Sequence, residues 1–371
     1  MSRVLVVTND FPPRRGGIES FVQALCEGMP PDDVVIYTSS TPGAASYDAR
    51  LPYRVVRDPS SMLLPTPPVA RRVARLLVET QCERVLYGAS APLGLLAPRL
   101  REAGAVRQVA LTHGHEAWWA RVPVTRRLLR RIGDEVDVMT YVSQWCHDRI
   151  APALSQAAQH RMRRLSPGVD PERFRPDCGG VAVRSQLGIA PDAPVVVSLA
   201  RMVRRKGMDT LVASWPAVLR RCPDARLVLV GDGPDRSRLE RMVADADLGR
   251  SVLLTGSVPW AEVPAYVDAG DVFAMPCRTR LGGLEVEAWG IVFVEAQACG
   301  LPVVVGDSGG APETVVGAGE VVGGRGRGRV LQTEGALVRL LESTAGRRVV
   351  PPQISDELSW QAASRVLDSL W

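Results

Sequence analysis

The chain alternates short apolar runs with longer stretches whose apolar positions recur every three or four residues. The runs RVLVVT (3–8), DVVIYT (33–38), RVLYG (84–88), QVALTH (108–113) and DVMTYVS (137–143) predict buried strands. Stretches such as ESFVQALCEGM (19–29) and VARRVARLLVET (69–80) predict helices between them. Strands that are valine-rich throughout, rather than alternately apolar and polar, belong to a parallel sheet covered on both faces. The alternation then restarts. PVVVSLA (194–200), ARLVLVG (225–231), SVLLTG (251–256), DVFAMP (271–276) and PVVVG (302–306) form a second set, with helices predicted near 208–221, 235–247, 261–269 and 291–299.

Between the sets lies LSPGVDPERFRPD (165–177), whose prolines and glycine suit an ordered linker. At 371 residues the chain is long enough for two domains. The expected fold is α/β, with two Rossmann-like doubly wound domains facing a central cleft. The first covers 1–166 and the second 180–355. An amphipathic tail, about 357–371, is a helix capping one of them. In such sheets ligands bind beyond the carboxyl ends of the strands, so the cleft is the expected site. The Gly/Arg-rich segment GAGEVVGGRGRGRV (317–330) reads as a loop. It is short and lies inside a domain, which argues against nucleic-acid binding.

Composition narrows the picture. Apolar residues make up 46% and charged residues 23%, as in ordinary globular domains. No apolar run is long enough to span a bilayer, and the opening residues enter a strand without the layout of a signal peptide. The seven cysteines are scattered, which fits free thiols in a reducing cytoplasm. The net charge of +5 is compatible with an anionic substrate or a membrane surface. Of 45 lysines and arginines only Lys206 is a lysine, so a general drift toward arginine has passed over one position.

Lys206 and Arg201 stand after the first strand of the second domain, at the cleft edge. A guanidinium fork and a compact ammonium together suit a diphosphate, although a solvated basic loop has the same composition; Arg204 and Arg205 read as surface. Glu287 and Glu295 bracket Gly290 and a predicted helix start. The exposed amides of Gly290, Ile291 and Val292 would face an anion. Glu295, about one turn into the helix, can accept two ribose hydroxyls, and Glu287 in the loop can hold sugar hydroxyls. Gly16 and Gly17 follow strand 1 and precede a helix, which offers a close backbone approach to an anion or simply a loop. His113, in THGHE at a first-domain strand end, suits substrate contact better than metal, because the spacing is not that of a zinc site. VGDGPDRSRL (230–239) has Arg236 where a dinucleotide fingerprint needs its third glycine, which weakens any NAD or FAD reading. Trp118 and Trp119 precede Arg126, Arg127, Arg130 and Arg131, a combination that fits either an anionic lipid surface or a solvated amphipathic helix.

Taken together, FPPRRGGIESFV, LTHGHE, SPGVDPERFRP, RMVRRKGMDTL, LVGDGPDRSRLE, LLTGSVPW and EVEAWGIVFVEAQACGLPVVVGDSGGAPETV resemble the retaining GT-B glycosyltransferases of family 4 over nearly the whole chain. Within that family, MPCRTRLGGLEVEAWGIVFVEAQA and THGHE are similar to the actinobacterial GDP-mannose-dependent branch that adds the second mannose to phosphatidylinositol monomannoside. The resemblance implies that Arg201 and Lys206 hold the donor diphosphate and Glu295 the ribose. It implies that Val258 meets the base through its backbone. Glu287 with the amides of Gly290, Ile291 and Val292 would hold the mannose, Gly16 and Gly17 would close over the phosphate, and His113 would touch the sugar. It further implies no metal or cofactor, and a glycolipid acceptor reached from the cytoplasmic face of an anionic membrane by the 115–134 stretch. It also implies a C-terminal helix returning to the first domain. Ala288 and Trp289 depart from the family, which commonly has glycine and a smaller aliphatic there. A transferase using another nucleotide sugar or acceptor, a sugar-nucleotide epimerase of the same fold, and an inactive binding module are the alternatives.

Overall fold

The computed structural model describes residues 3–14, 16–344 and 358–371; the expected end of the second domain, near 355, and the tail's first residue lie outside them. The chain divides into two units, Met1–Gly168 with Trp360–Trp371, and Val169–Ser359. Each is built on a wholly parallel sheet.

In the first unit the strands are β1 (Arg3–Thr8), β2 (Val34–Ser39), β3 (Arg54–Asp58), β4 (Cys82–Tyr87), β5 (Arg107–Ala110), β6 (Val138–Tyr141) and β7 (Met162–Arg164). Their order is β3-β2-β1-β4-β5-β6-β7, which places β1 centrally with every residue after Arg3 buried. The reversal of winding beside β1 is a switch point of the kind that leaves a crevice at the strand ends. The helices packed on this sheet include α1 (Gly17–Glu27), α2 (Pro67–Glu79) and α3 (Pro123–Glu135). The helix α2 starts on proline at its first position and buries Val69, Val73, Leu76 and Leu77 on one stripe.

The second unit has β8 (Val195–Leu199), β9 (Arg226–Val230), β10 (Val252–Gly256), β11 (Val272–Met275), β12 (Val303–Gly306) and β13 (Gly319–Val322), in the order β10-β9-β8-β11-β12-β13. Its helices include α4 (Met208–Arg221), α5 (Ile291–Ala298) and α6 (Arg327–Thr344). Trp215 of α4 is completely buried at the centre of this core, and its indole N–H donates to Ser251 Oγ at 3.2 Å.

Three expectations are corrected. The segment 317–330 is not a loop: β13 pairs with β12 from Val303↔Gly319 to Gly306↔Val322, and α6 starts at Arg327. Its glycines mask a strand whose Val322 is buried, and Arg329 is 6% exposed because it donates to Asp307 and to the carbonyl of Cys277. The linker is largely part of the second unit. Val169 donates to Leu358 O, Phe174 is buried, and the amides of Asp177 and Gly180 donate to Asp268. The 115–134 stretch is two elements, a turn at Glu116–Trp119 and α3, because Pro123 lacks the N–H needed to continue a helix.

The terminal helix α7 (Trp360–Ser369) belongs to the first unit. Trp360 lies 6.0 Å from the Phe21 ring, Arg107 donates to Leu370 O at 2.8 Å, and the Arg84 guanidinium stacks on Trp371. No helix among the described residues is long and apolar enough to cross a membrane.

Candidate functional site

In the second unit three loops at the carboxyl ends of the strands carry the candidate residues. The loop after β8 holds Arg201, whose exposed side chain makes no hydrogen bond or ion pair among the described residues. It then closes in a short turn, Arg204–Lys206. Gly207 ends that turn at φ 79°, and a Cβ there would sit 2.2 Å from the carbonyl oxygen of Pro276, so only glycine fits. The close approach locks this loop to the one following β11.

Lys206 is 13% exposed, and its Nζ donates to Glu287 Oε2 at 2.6 Å. Glu287 is itself fixed by its backbone: its N–H donates to Ser308 Oγ at 3.1 Å, and its carbonyl accepts from Gly310 N–H at 3.0 Å. Burial pushes the Glu287 carboxyl up, but the charges of Lys206 and Arg205 outweigh that and hold it below the usual carboxylate range.

Three residues on, Gly290 turns the chain into α5 with φ 90° and ψ 65°, a left-handed conformation in which a Cβ would press on the Phe293 ring at 2.8 Å. A glycine at this position has no side chain to cap the helix. Among the described residues the N–H groups of Gly290, Ile291 and Val292 find no acceptor. They form a donor cluster at the positive end of a helix dipole, suited to an anion or to hydroxyl oxygens. One turn further, Glu295 is 3% exposed and no hydrogen bond reaches its carboxyl among the described residues. Burial drives it up to about 8, with only the charge of Arg173 pulling back. Arg173 also donates to Trp260 O at 3.1 Å and stacks over that ring, at the loop that carries Val258. The N–H and carbonyl of Val258 are unpaired among the described residues.

In the first unit, Gly16 is extended and Gly17 opens α1; the amides of Gly17 and Ile18 have no acceptor among the described residues. Phe21 of the same helix packs edge-on against His113, with ring centroids 5.7 Å apart. His113 Nε2 lies 2.5 Å from Gly88 O. A carbonyl only accepts, so Nε2 carries the proton. Burial lowers the imidazole below its ordinary value against the pull of Glu116, so the ring is neutral and Nδ1 presents a lone pair. The carboxylate of Glu116, completely buried, accepts from the amides of His113 and Gly114 and from Ser90, which holds the turn rigid. No group of three or more side chains that could hold a metal ion is found among the described residues.

Residues 15–173 match the family described as Glycosyltransferase Family 4, and residues 182–326 match Glycosyl transferases group 1. A GDP-mannose-dependent alpha-(1-6)-phosphatidylinositol monomannoside mannosyltransferase of Mycolicibacterium smegmatis is 49% identical over 84% of this chain and 82% of its own length. The chain is a family 4 glycosyltransferase. The corresponding monoacylated-acceptor enzyme of Corynebacterium glutamicum is 40% identical over 99% of the chain and 98% of its own length. Among solved structures, Anabaena HepE in complex with UDP and glucose superposes with a TM-score of 0.80 at 17% identity, covering 100% of this chain and 99% of its own. Sucrose-phosphate synthase of Thermosynechococcus elongatus gives 0.72 at 21% identity, covering 99% and 98%. These two likenesses bear on the fold, which is of the GT-B class, with two Rossmann-like domains.

Sequence reasoning about this glycosyltransferase missed Arg205. Its guanidinium is 31% exposed, and Nη1 donates to Glu287 Oε2 at 2.7 Å, whereas Arg204 is 55% exposed, as expected of surface. One arginine among many carries no signal, and its partner lies 82 residues away. Trp289 is buried at 4% exposure, so the family departure at that position packs inward. Trp118 and Trp119 are half-buried, while Arg126, Arg127, Arg130 and Arg131 are all exposed on α3.

Proposed function

We propose that this hexosyltransferase moves mannose from GDP-mannose, with retention and without a metal, onto a phosphatidylinositol mannoside. The second unit serves as the nucleotide-sugar domain and the first as the acceptor side. The observation that carries the reading is the order of groups around Gly290: a cation-bound carboxylate before it, three amides at it with no acceptor among the described residues, and a buried carboxyl one turn after it. The names of the two relatives support the donor and acceptor.

In this reading Arg201 and Lys206 hold the diphosphate, the Glu295 carboxylate accepts the ribose hydroxyls and Val258 meets the base. Glu287 and the amides of Gly290, Ile291 and Val292 orient the mannose. Gly16 and Gly17 bring amides to the phosphate, and His113 Nδ1 accepts from a sugar hydroxyl. The bond between the anomeric carbon and the β-phosphate oxygen breaks as the acceptor hydroxyl oxygen bonds to the same carbon from the same face. The hydroxyl proton passes to the departing phosphate oxygen, so no separate base is required. Neutralising that leaving group in a site of fixed charges is then the largest catalytic contribution. The exposed arginines of α3, with Trp118 and Trp119 beside them, suit an anionic membrane surface, which would place the enzyme on the cytoplasmic face as a peripheral protein.

The test is to incubate the protein with a panel of nucleotide sugars and vesicles containing phosphatidylinositol monomannoside, then identify the glycolipid by mass spectrometry. A dimannoside formed from GDP-mannose alone is expected. Conversion of the donor without acceptor into an epimer, or preference for another sugar, would overturn the reading.

A further inference from the structure

Glu287 binds two cations through one oxygen. Lys206 Nζ and Arg205 Nη1 both donate to Oε2, at 2.6 and 2.7 Å, and among the described residues no hydrogen bond reaches Oε1. A structural ion pair needs only one of these cations. The reading of Lys206 as a diphosphate ligand, on which this inference rests, gives the second a purpose. When a donor arrives, its two phosphate charges compete with Glu287 for the single ammonium. A carboxylate only 11% exposed cannot lose its cation without being driven toward protonation or rotation.

Arg205 is built to remain. A guanidinium keeps its proton at any working pH and binds a carboxylate through a rigid fork. Its Nη1 also lies 3.4 Å from Val286 O, on the same loop. Its own carbonyl accepts from Arg278 N–H at 2.8 Å, and Arg278 is in turn bound bidentately by Asp209 at 2.9 and 2.7 Å. The backbone that carries Arg205 is therefore tied down independently of Lys206. We propose that Arg205 is a positioning residue that holds the Glu287 carboxylate charged and in place, with Oε1 open to the sugar hydroxyls, while Lys206 engages the donor diphosphate. The thiol of Cys277 also feels the Glu287 charge; burial and that charge push it up to about 12, so it stays neutral.

The experiment compares the wild type with Arg205→Met, Arg205→Lys and Lys206→Ala, with and without GDP. Glu287 is titrated through its carboxyl carbon in 13C-glutamate-labelled protein, its resonance assigned with Glu287→Gln. In Arg205→Met, Glu287 should titrate above its wild-type position even without GDP, since one of its two cations is gone, and about one unit higher still with GDP bound, when Lys206 is diverted as well. GDP affinity should stay within about twofold, and kcat with GDP-mannose should fall about tenfold or more, with the acidic limb of its pH profile moved upward. Arg205→Lys should recover most of both. A GDP-bound Arg205→Met that titrates like the wild type, or one that loses GDP affinity in proportion to kcat, would overturn the proposal. Lys206→Ala reports separately on the underlying reading: if it binds GDP as tightly as the wild type, Lys206 is no diphosphate ligand and the inference falls with that assignment.

Discussion

Glu287 and Glu295 are the same residue type eight positions apart, on either side of one helix start, yet their surroundings are opposite. Glu287 sits in a loop, held as an anion by a lysine and an arginine. Glu295 lies deeper, inside α5, with no hydrogen bond to its carboxyl among the described residues and burial driving it up to about 8. The first is charged before any ligand arrives. The second is a neutral acid near pH 7 that becomes a strong acceptor only when hydroxyl donors reach it. In the proposed reading the difference separates two tasks: permanent electrostatic organisation where a bond breaks, and recognition that is completed by the ligand.

The largest effect on this contrast should come from Lys206→Ala. It removes the ammonium proposed to serve the leaving group but leaves Arg205 on Glu287, so kcat should drop by about a hundredfold or more while the melting temperature changes little. Glu287→Gln keeps the shape and removes the charge. A loss of about ten- to hundredfold in kcat is expected, with GDP affinity nearly intact, because the proposed reading assigns this side chain to the sugar and not to the nucleotide. A parallel loss of GDP affinity would break the proposed division of labour.

Glu295→Gln tests the other side. GDP affinity should weaken about tenfold as a charged acceptor becomes a neutral one. The stability effect runs the opposite way. A carboxyl raised in the folded state favours folding fully below its unfolded value of 4.5 and loses that contribution as pH rises through about 8. The ligand-free Gln variant should therefore melt higher than the wild type at pH 8, by about 2–4 °C per kcal/mol recovered, and the gap should close toward pH 5. Calorimetry of GDP binding at pH 7 in buffers of different ionisation enthalpy should show release of up to about one proton, absent in Glu295→Gln. The last test is a control. Arg127→Glu with Arg130→Glu should weaken sedimentation with anionic vesicles, about 1 kcal/mol for each arginine removed from the proposed membrane-facing helix, and leave both carboxylates unchanged.

The parts of this molecule that sequence reveals are those governed by local pattern. Central parallel strands such as RVLVVT and PVVVSLA are apolar on both faces, and both sheets were legible from them. The strands that escaped are β3, β7 and β13, each at a sheet edge and partly exposed; RVVRD, MRR and GEVV hold only one or two apolar residues each, too few to read as an apolar run. At the site, Glu287, Gly290 and Glu295 were readable because their spacing around a helix start is a local fact. The bond from Arg205 to Glu287 was not, since it depends on two loops meeting from distant parts of the chain. Likewise the lone pair on His113 Nδ1 follows only from the carbonyl of Gly88 lying against the other nitrogen.

The return of α7 to the first unit makes the order of biosynthesis matter. Residues of the first sheet emerge from the ribosome before those of the second unit, but the surface around Phe21, Arg84 and Arg107 stays uncovered until residues 360–371 are released. The nascent amino-terminal half must therefore wait, apolar face open, while the entire second unit is translated. A fragment ending near residue 168 would inherit that exposed face permanently, whereas one with residues 360–371 joined on should be the better-behaved species.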